Sequence, residues 1–139
     1  MKTFPLHIVS QERELVSVEV DSVTIPTSMG ELTILAEHIP LFAKVETGEL
    51  IYRQGSTEIS VVVSNGFMNV APGGELKVMV DSGVLDRNIS LEKAQAAVRA
   101  AQETMEKTQD QRELMMAEAS LRQAMMEIKV AQKTKKVNI

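Results

Sequence analysis

The sequence predicts an N-terminal β-sandwich of about eight to ten strands over residues 1–85, followed by a C-terminal antiparallel two-helix hairpin over residues 86–139. Up to about Asp81, short runs rich in Val, Ile and Thr alternate between apolar and polar positions, which is typical of a sandwich. From Ser90 onward the apolar residues recur every three or four positions, as in an amphipathic helix. Glycine and proline are absent from residue 84 to the end, so neither residue interrupts a helix there.

The alternation places eight strands individually. They are expected at Leu6–Val9, Leu15–Ile25, Glu31–Leu35, Leu41–Lys44, Glu49–Arg53, Thr57–Val63, Phe67–Ala71 and Glu75–Asp81. In the last of them, Leu76, Val78 and Val80 are expected to face the core. A bulge is expected in the long second strand, and the short connections favour antiparallel pairing.

Two turns are predicted from glycine. Asn65-Gly66 lies between two strand-like runs and predicts a β-hairpin, because both residues tolerate positive φ. Pro72-Gly73-Gly74 predicts the following turn. Because this second turn precedes a strand and not a helix, it is not expected to bind phosphate.

Each predicted helix carries a narrow apolar stripe that contains several alanines. The first stripe is Leu91, Ala94, Val98, Ala101 and Met105, and the second is Leu114, Ala117, Leu121, Ala124, Ile128 and Ala131. Ser90 is the predicted N-cap of the first helix, and Asp110 with Glu113 resembles a capping box for the second. The break at about Glu106–Gln109 is short enough to require an antiparallel hairpin.

The alanines predict a weakly held hairpin, because each alanine in place of leucine gives up about 2 kcal/mol of apolar burial. The hairpin is either docked permanently on the sandwich or able to exchange one neighbour for another. Four methionines, Met115, Met116, Met125 and Met126, widen the apolar surface of the second helix. Methionine suits a surface that packs on more than one partner, and it is also an ordinary helix former.

The charge is distributed unevenly. Residues 1–85 carry five Lys or Arg against eleven Asp or Glu, a balance of −6, and residues 86–139 carry ten against eight, a balance of +2. The basic end comprises Lys129, Lys133, Lys135 and Lys136, with no acid after Glu127. Such an end either contacts an acidic partner or complements the helix dipole.

The composition excludes several functions. Without cysteine there is no disulfide, thiolate zinc site or cysteine nucleophile. His7 is expected to be a solvent-facing strand residue and His38 to orient a loop, so no catalytic, cofactor or metal site is predicted. The acidic chain has few aromatic residues to stack on bases, which argues against a nucleic-acid partner. No membrane-spanning or signal-like run is found, and the protein is expected to stay in the compartment where it is made.

Motifs along the whole chain resemble one family. The stretch Gly30–Leu41 reads Gly-Glu-Leu-Thr-Ile-Leu-Ala-Glu-His-Ile-Pro-Leu and is similar to a stretch of bacterial F-type ATP synthase epsilon subunits. Gly48-Glu49-Leu50, Asn65–Val70 and Ala124–Lys136 resemble further segments of that family, in the same order.

The resemblance implies a non-catalytic central-stalk subunit that couples the membrane ion-driven ring of c subunits to gamma. Its expected location is peripheral, on the cytoplasmic face of the bacterial inner membrane, with membrane contact only through the complex. Glu31 and His38 match family positions in the region facing the ring and are the predicted interface residues there.

The resemblance also implies that the hairpin either folds against the sandwich or extends along gamma into the catalytic head, where it restrains ATP hydrolysis. Arg112, Arg122, Lys129 and Lys133 are then expected to contact acidic surface on the alpha and beta catalytic subunits.

Some family members bind ATP through an Ile/Leu-Asp-x-x-Arg-Ala motif. Here the matching stretch Ile89–Ala94 has Ser90 in place of Asp and Lys93 in place of Arg. Met116 and Gln123 replace arginines of the second helix. Because lysine cannot replace the bidentate guanidinium, no ATP site is predicted.

Two other classes of protein are alternatives to this family. A helical-hairpin factor acting on another large complex, such as RNA polymerase, would carry clustered acids at its tip, whereas Lys107–Gln111 offers one. A carbohydrate-binding or adhesion sandwich would show exposed aromatic residues and a secretion signal, and neither is expected here.

Overall fold

The computed structural model describes the backbone of residues 2–137 and side chains as far as Lys133. The chain divides into two compact units, residues 1–85 and 86–139. The side chains of Lys135 and Lys136, which belong to the predicted basic end, lie outside the described residues.

The first unit contains ten strands within its described residues. They are β1 (Phe4–Val9), β2 (Glu14–Val20), β3 (Ser22–Thr27), β4 (Gly30–Leu35), β5 (Leu41–Val45), β6 (Gly48–Gln54), β7 (Thr57–Val63), β8 (Gly66–Val70), β9 (Leu76–Val80) and β10 (Gly83–Leu85). This confirms the predicted sandwich.

The strands form two five-stranded layers. One has the order β4-β3-β6-β7-β10 and the other β5-β8-β9-β1-β2, and the pair Thr27↔Val45 joins them. All pairs are antiparallel except β1 with β9, which are parallel. Alternate residues of every layer fill the core, and Leu76, Val78 and Val80 are buried in it as predicted.

The predicted long second strand is two strands, and the chain changes layer between them. The connection is Asp21, whose Oδ2 accepts a hydrogen bond from the Gly55 N–H (2.6 Å) and whose own N–H donates to the Arg53 carbonyl (2.8 Å). The inward positions change from even-numbered residues such as Val16 and Val20 to odd-numbered residues such as Val23 and Ile25 at this point. A bulge within one strand would shift the alternation in the same way, so the pattern alone does not distinguish the two. The prediction also missed β10, which is three residues long.

The predicted hairpin at Asn65-Gly66 is wrong. β7 pairs with β6 and β10, whereas β8 pairs with β5 and β9, so this connection crosses from one layer to the other. The return crossing, from β9 to β10, runs beside it. The two are joined by hydrogen bonds from the Ser64 N–H to the Ser82 carbonyl (3.0 Å) and from the Ser82 N–H to Ser64 Oγ (2.8 Å).

Gly66 is required for a close approach and not for a turn. It does not adopt a positive φ. A Cβ at this position would lie 1.9 Å from the Met79 carbonyl oxygen, which is backbone and cannot move aside without disturbing the ladder. The predicted turn at Pro72-Gly73-Gly74, in contrast, does contain two glycines with positive φ.

The second unit contains a short 3-10 helix (Asp86–Asn88), α1 (Leu91–Lys107) and α2 (Gln111–Val137). Ser90 caps α1 as predicted, because its side chain accepts a hydrogen bond from the Lys93 N–H (3.3 Å). Asp110 Oδ1 accepts from the Arg112 N–H (3.0 Å). However, the Asp110 N–H donates to Thr108 Oγ1 (3.1 Å), which takes the place that Glu113 would have in the predicted capping box.

α1 and α2 pack against each other, and the small residues of the predicted stripes are the most buried. Among the described side chains these are Ala94, Ala101, Ala117 and Ala124, with Val130 buried outside the stripe. The larger stripe residues remain half-buried. Alanine allows close helix approach but buries little area, as the sequence predicted. No described helix is both long and apolar enough to cross a bilayer.

Replacing Gly66 with alanine is expected to destabilise the sandwich by about 3 kcal/mol, because the new methyl group overlaps the Met79 carbonyl. Urea unfolding followed by circular dichroism measures the change. The control is Gly55→Ala, where φ is +62° and no heavy atom lies within 4 Å of the new Cβ. This control is expected to cost about 1 kcal/mol, the strain of a left-handed residue. Equal costs for the two variants would contradict the close-approach explanation.

Candidate partner interfaces

An exposed apolar cluster lies on the outer face of the β5-β8-β9 layer. The rings of Phe42 and Phe67 stack with centroids 5.5 Å apart and an interplanar angle of 22°. Phe42 is 63% exposed and Phe67 48%, and Met79 lies opposite Phe67 in the neighbouring strand. We call Phe42, Phe67 and Met79 the aromatic patch. Contiguous exposed apolar side chains of this kind mark interaction sites.

Strand parity places these residues outside. Ala43, Met68 and Val78, which neighbour them along the strands, point inward and are buried. The outward residues therefore cannot reach the core without a shift of register. The expectation that no aromatic residue is exposed is wrong. The patch could have been predicted from the sequence, because large apolar residues there occupy positions of an alternating strand that are normally polar and face outward.

A shallow cavity of about 340 Å³ borders the patch. It is lined by Val9, Ser10, Gln11, Gly66, Phe67, Met79, Val80 and Asp81. The cavity gives the flat sheet surface a depression beside Phe67, into which a partner side chain can pack.

Glu31 and His38 lie at opposite ends of β4 and do not form one site. Glu31 is the second residue of β4, and His38 follows its last residue by three positions. At about 3.3 Å per residue, the strand from Glu31 to Leu35 alone spans roughly 13 Å. A single small contact therefore cannot include both side chains.

The Glu31 end is a rigid turn with an apolar tip. Thr27, which is buried, donates from Oγ1 to the Gly30 carbonyl (2.6 Å) and accepts from the Met29 N–H (3.2 Å). Gly30 adopts a φ of +102°. The turn therefore presents Met29 to solvent beside the Glu31 carboxylate.

The His38 end is a strained loop. His38 Nδ1 lies 2.7 Å from the Ile39 carbonyl oxygen and therefore donates to it. The preceding residue, Glu37, has a φ of +66°, a conformation unusual for a side chain of this type. Glu37 also pairs with Lys2. His38 thus orients the loop, as the sequence predicted.

His7 lies on the outer face of β1, as predicted, but it is held among polar neighbours. Its Nδ1 is 3.1 Å from Ser17 Oγ and 3.6 Å from a Glu14 carboxylate oxygen, and its Nε2 is 3.5 Å from Glu75. These contacts connect β1 with β2 and with the residue that directly precedes β9. Within the described part of the chain, no group of three or more His, Cys, Asp or Glu side chains is arranged to hold a metal ion.

Three of the four predicted basic residues of α2 share one face. At 100° per residue, Arg122, Lys129 and Lys133 fall within an arc of about 40°, whereas Arg112 lies about 60° outside it. All four are exposed. We call Arg122, Lys129 and Lys133 the basic face. Its charges are positioned to act together on an acidic surface, and Arg112 is not part of that arrangement.

A second shallow cavity, of about 380 Å³, lies between the two helices. It is lined mainly by small side chains: Ala97, Ala100, Ala101, Thr104, Glu113, Met116, Ala117 and Ser120. Ser90, which replaces the Asp of the ATP-binding motif found in some family members, caps α1 with its hydroxyl and so has a structural role.

The absence of an ATP site stays a prediction.

Glu127 is a half-buried acid on α2. Burial raises the pKa of its carboxyl above the ordinary value of 4.5, and a hydrogen bond from Gln123 Nε2 to Oε2 (3.3 Å) partly offsets this effect. The charged form of Glu127 is therefore a cost to the folded hairpin.

Comparison with known proteins identifies the family of both units. Residues 3–86 match the family model described as ATP synthase, Delta/Epsilon chain, beta-sandwich domain, and residues 87–132 match its long alpha-helix domain. The ATP synthase epsilon chain of Dehalococcoides mccartyi is 39% identical over 137 residues, 98% of this chain and 97% of that one. This chain belongs to the ATP synthase epsilon chain family. The epsilon chain of Syntrophobacter fumaroxidans is 34% identical over 129 residues, 93% of this chain and 96% of that one.

Solved structures share the epsilon-chain fold. A chain of the Euglena gracilis mitochondrial ATP synthase (OSCP/F1/c-ring) aligns with a TM-score of 0.72 at 24% identity, covering 86% of this chain and 76% of that chain. A chain of the Tetrahymena thermophila mitochondrial ATP synthase central stalk and c-ring aligns with a TM-score of 0.62 at 14% identity, covering 94% and 97%. The family predicted from the sequence is confirmed, and none of these relatives favours the RNA polymerase alternative.

Replacing Glu127 with glutamine is expected to change how hairpin stability depends on pH. Because the folded hairpin binds this proton more tightly than the unfolded chain, the contribution of Glu127 to hairpin stability is greatest below pH 4.5 and falls as pH rises through the raised pKa. Glu127→Gln removes this fall. Loss of helical circular dichroism in urea, measured from about pH 4 to pH 8, tests the expectation. Glu113→Gln, an exposed change on the same helix, is the control and is expected to keep the fall.

Proposed function

We propose that this chain is the epsilon subunit of an F-type ATP synthase, a non-catalytic subunit of the rotor stalk. It couples the membrane ion-driven ring of c subunits to gamma. The observation that carries the proposal is the match of both units, together covering residues 3–132, to the two domains of one family. In this role the protein is peripheral, on the cytoplasmic face of the bacterial inner membrane, and reaches the membrane only through the complex.

The aromatic patch is the proposed docking surface for gamma. A rotor subunit must stay attached to its neighbour while the rotor turns, which requires a stable and partly apolar interface. Two stacked aromatic rings and a methionine beside a shallow cavity have the composition of an interaction hot spot. The charged residues on the same outer face of the sandwich, Lys44 and Lys77, would contribute to orientation.

The Met29–Glu31 turn is the proposed contact with the c-ring. Because Glu31 and His38 lie at opposite ends of β4, the proposed ring contact uses one end of that strand. We assign Glu31 to the ring, because its turn is rigid and carries an exposed apolar tip. His38 then belongs to a different contact or is purely structural.

The hairpin is the proposed regulatory element. Its helices are held through alanines, so leaving a packed position costs little free energy. The basic face would contact acidic surface on the alpha and beta subunits and thereby restrain ATP hydrolysis. The same hairpin lets synthesis proceed when α2 is withdrawn.

The double variant Phe42→Ser/Phe67→Ser is expected to weaken binding to gamma about tenfold or more, because it removes two interfacial aromatic rings. The test is recovery of gamma with the tagged chain from solubilised cell membranes. Both side chains are exposed, so the thermal stability of the variant is expected to stay close to that of the wild type. The control is Leu35→Ser/Ile39→Ser, an equal loss of exposed apolar side chains in β4 and the loop that follows it. Wild-type recovery of gamma by the Phe variant would refute the assignment of the patch, and failure of the wild-type chain to recover gamma, alpha and beta would refute the proposed function.

Deleting residues 87–139 is expected to raise ATP hydrolysis by the reconstituted complex several-fold. Arg122→Glu/Lys129→Glu/Lys133→Glu is expected to have the same effect, because it reverses the charge of the basic face. The control Lys93→Glu/Arg99→Glu/Lys107→Glu makes the same change of net charge on exposed residues of α1 and is expected to retain inhibition. If hydrolysis were unchanged by the deletion, the regulatory role would be wrong while the stalk role would remain.

A further inference from the structure

All the sulfur atoms of this protein belong to methionine side chains. The chain has nine methionines and no cysteine. Two methionines of α2, Met115 and Met125, are 62% and 57% exposed, whereas Met68 in the sandwich core is completely buried. Exposed thioethers are the ones that peroxides oxidise.

The position of the two exposed methionines on α2 is specific. At 100° per residue, Met115 and Met125 fall within the same arc of about 80° that holds the basic face. Met116, which is also exposed, lies about 100° away from Met115, on the side of the shallow cavity between the helices. The surface that carries Arg122 and Lys129 is therefore apolar as well as basic, and its apolar part is oxidisable.

We propose that Met115 and Met125 form an oxidation-sensitive site through which peroxide releases the hairpin's restraint on ATP hydrolysis. The proposal rests on the proposed function of the hairpin and adds a mode of regulation to it.

The chemistry is an oxygen-atom transfer. The thioether sulfur attacks one oxygen of hydrogen peroxide, an S–O bond forms as the O–O bond breaks, and after proton transfer the other oxygen leaves as water. Sulfur loses two electrons and becomes the sulfoxide. Methionine sulfoxide reductases reverse the step with two electrons and two protons from thiols, releasing the oxygen as water, and one enzyme is needed for each sulfoxide epimer.

Oxidation changes docking and not folding. Both side chains are exposed in the described structure, so a sulfoxide there meets water and disturbs no core. In the docked state, the same side chains would have to enter an interface, and a polar sulfoxide does so at the cost of its hydration. Docking in turn would shield the sulfur atoms, so the undocked state is the one that reacts.

Mass spectrometry of peptides from the peroxide-treated full chain tests the reactivity. Met115 and Met125 are expected to reach half-oxidation at peroxide doses close to those for an exposed control, Met29, while Met68 stays reduced. Oxidation of Met68 as early as Met115 would overturn the proposal, because it would show that exposure does not select the site.

Hydrolysis by a complex reconstituted with the treated chain tests the regulation. Oxidation is expected to weaken inhibition about tenfold, the effect of losing one buried apolar side chain, and treatment with both reductases is expected to restore it. The variant Met115→Leu/Met125→Leu keeps an apolar side chain at both positions, and its degree of inhibition is expected to be the same before and after peroxide treatment. The control variant Met116→Leu, which removes an exposed methionine outside that arc, is expected to remain as sensitive as the wild type.

The outcomes separate this proposal from the one it rests on. If the untreated wild-type chain does not inhibit, the regulatory hairpin and the oxidation site both fail. If the untreated chain inhibits and the oxidised chain inhibits equally, only the oxidation site fails. Equal peroxide sensitivity of Met115→Leu/Met125→Leu and Met116→Leu would also refute it.

Discussion

The apolar layer between the two five-stranded sheets determines what the rest of the sandwich can present. Inward positions such as Leu6, Leu50 and Val78 are completely buried, so the register of each strand is fixed by the core. The outward positions follow from that register. The aromatic patch is therefore held in place by residues that a partner never touches, and its rings are presented on a surface that cannot shift by one residue without exposing the core.

The two units differ in how strongly they are packed. A core valine or leucine of the sandwich contributes about 1.5–3 kcal/mol on burial, whereas the buried positions of the hairpin are mostly alanines. The backbone hydrogen bonds of each helix are local and survive a change of neighbour. A tightly packed sandwich and a hairpin with little packing energy would suit the proposed division of roles, in which the sandwich holds a lasting interface and the hairpin changes its neighbour.

Most of the fold was predictable, because period-two and helical patterns are local properties. The strand Thr57–Val63 and the cap at Ser90 are where the sequence predicts them. The errors lie where the chain changes layer, at Asp21 and at Asn65-Gly66, because alternation carries no record of which sheet a strand joins. At Gly66 the sequence predicts a turn, whereas the structure requires glycine there because the Met79 carbonyl of the next strand, β9, lies against it. The aromatic patch was missed because three Phe in the whole chain gave no compositional signal.

The parallel pairing of β1 with β9 has a consequence for the synthesis of the protein. Leu6 pairs with Leu76, so the first strand lacks one neighbour until some seventy further residues have been made. At ribosomal rates of about 5–20 residues per second, this delay lasts roughly 4–14 s. During that time an apolar edge strand would be open to incorrect pairing, which β2, as an immediate antiparallel neighbour, partly covers. The hairpin is made last and depends on local contacts, so completion of the sandwich and not of the helices should limit how soon a new chain can join its complex.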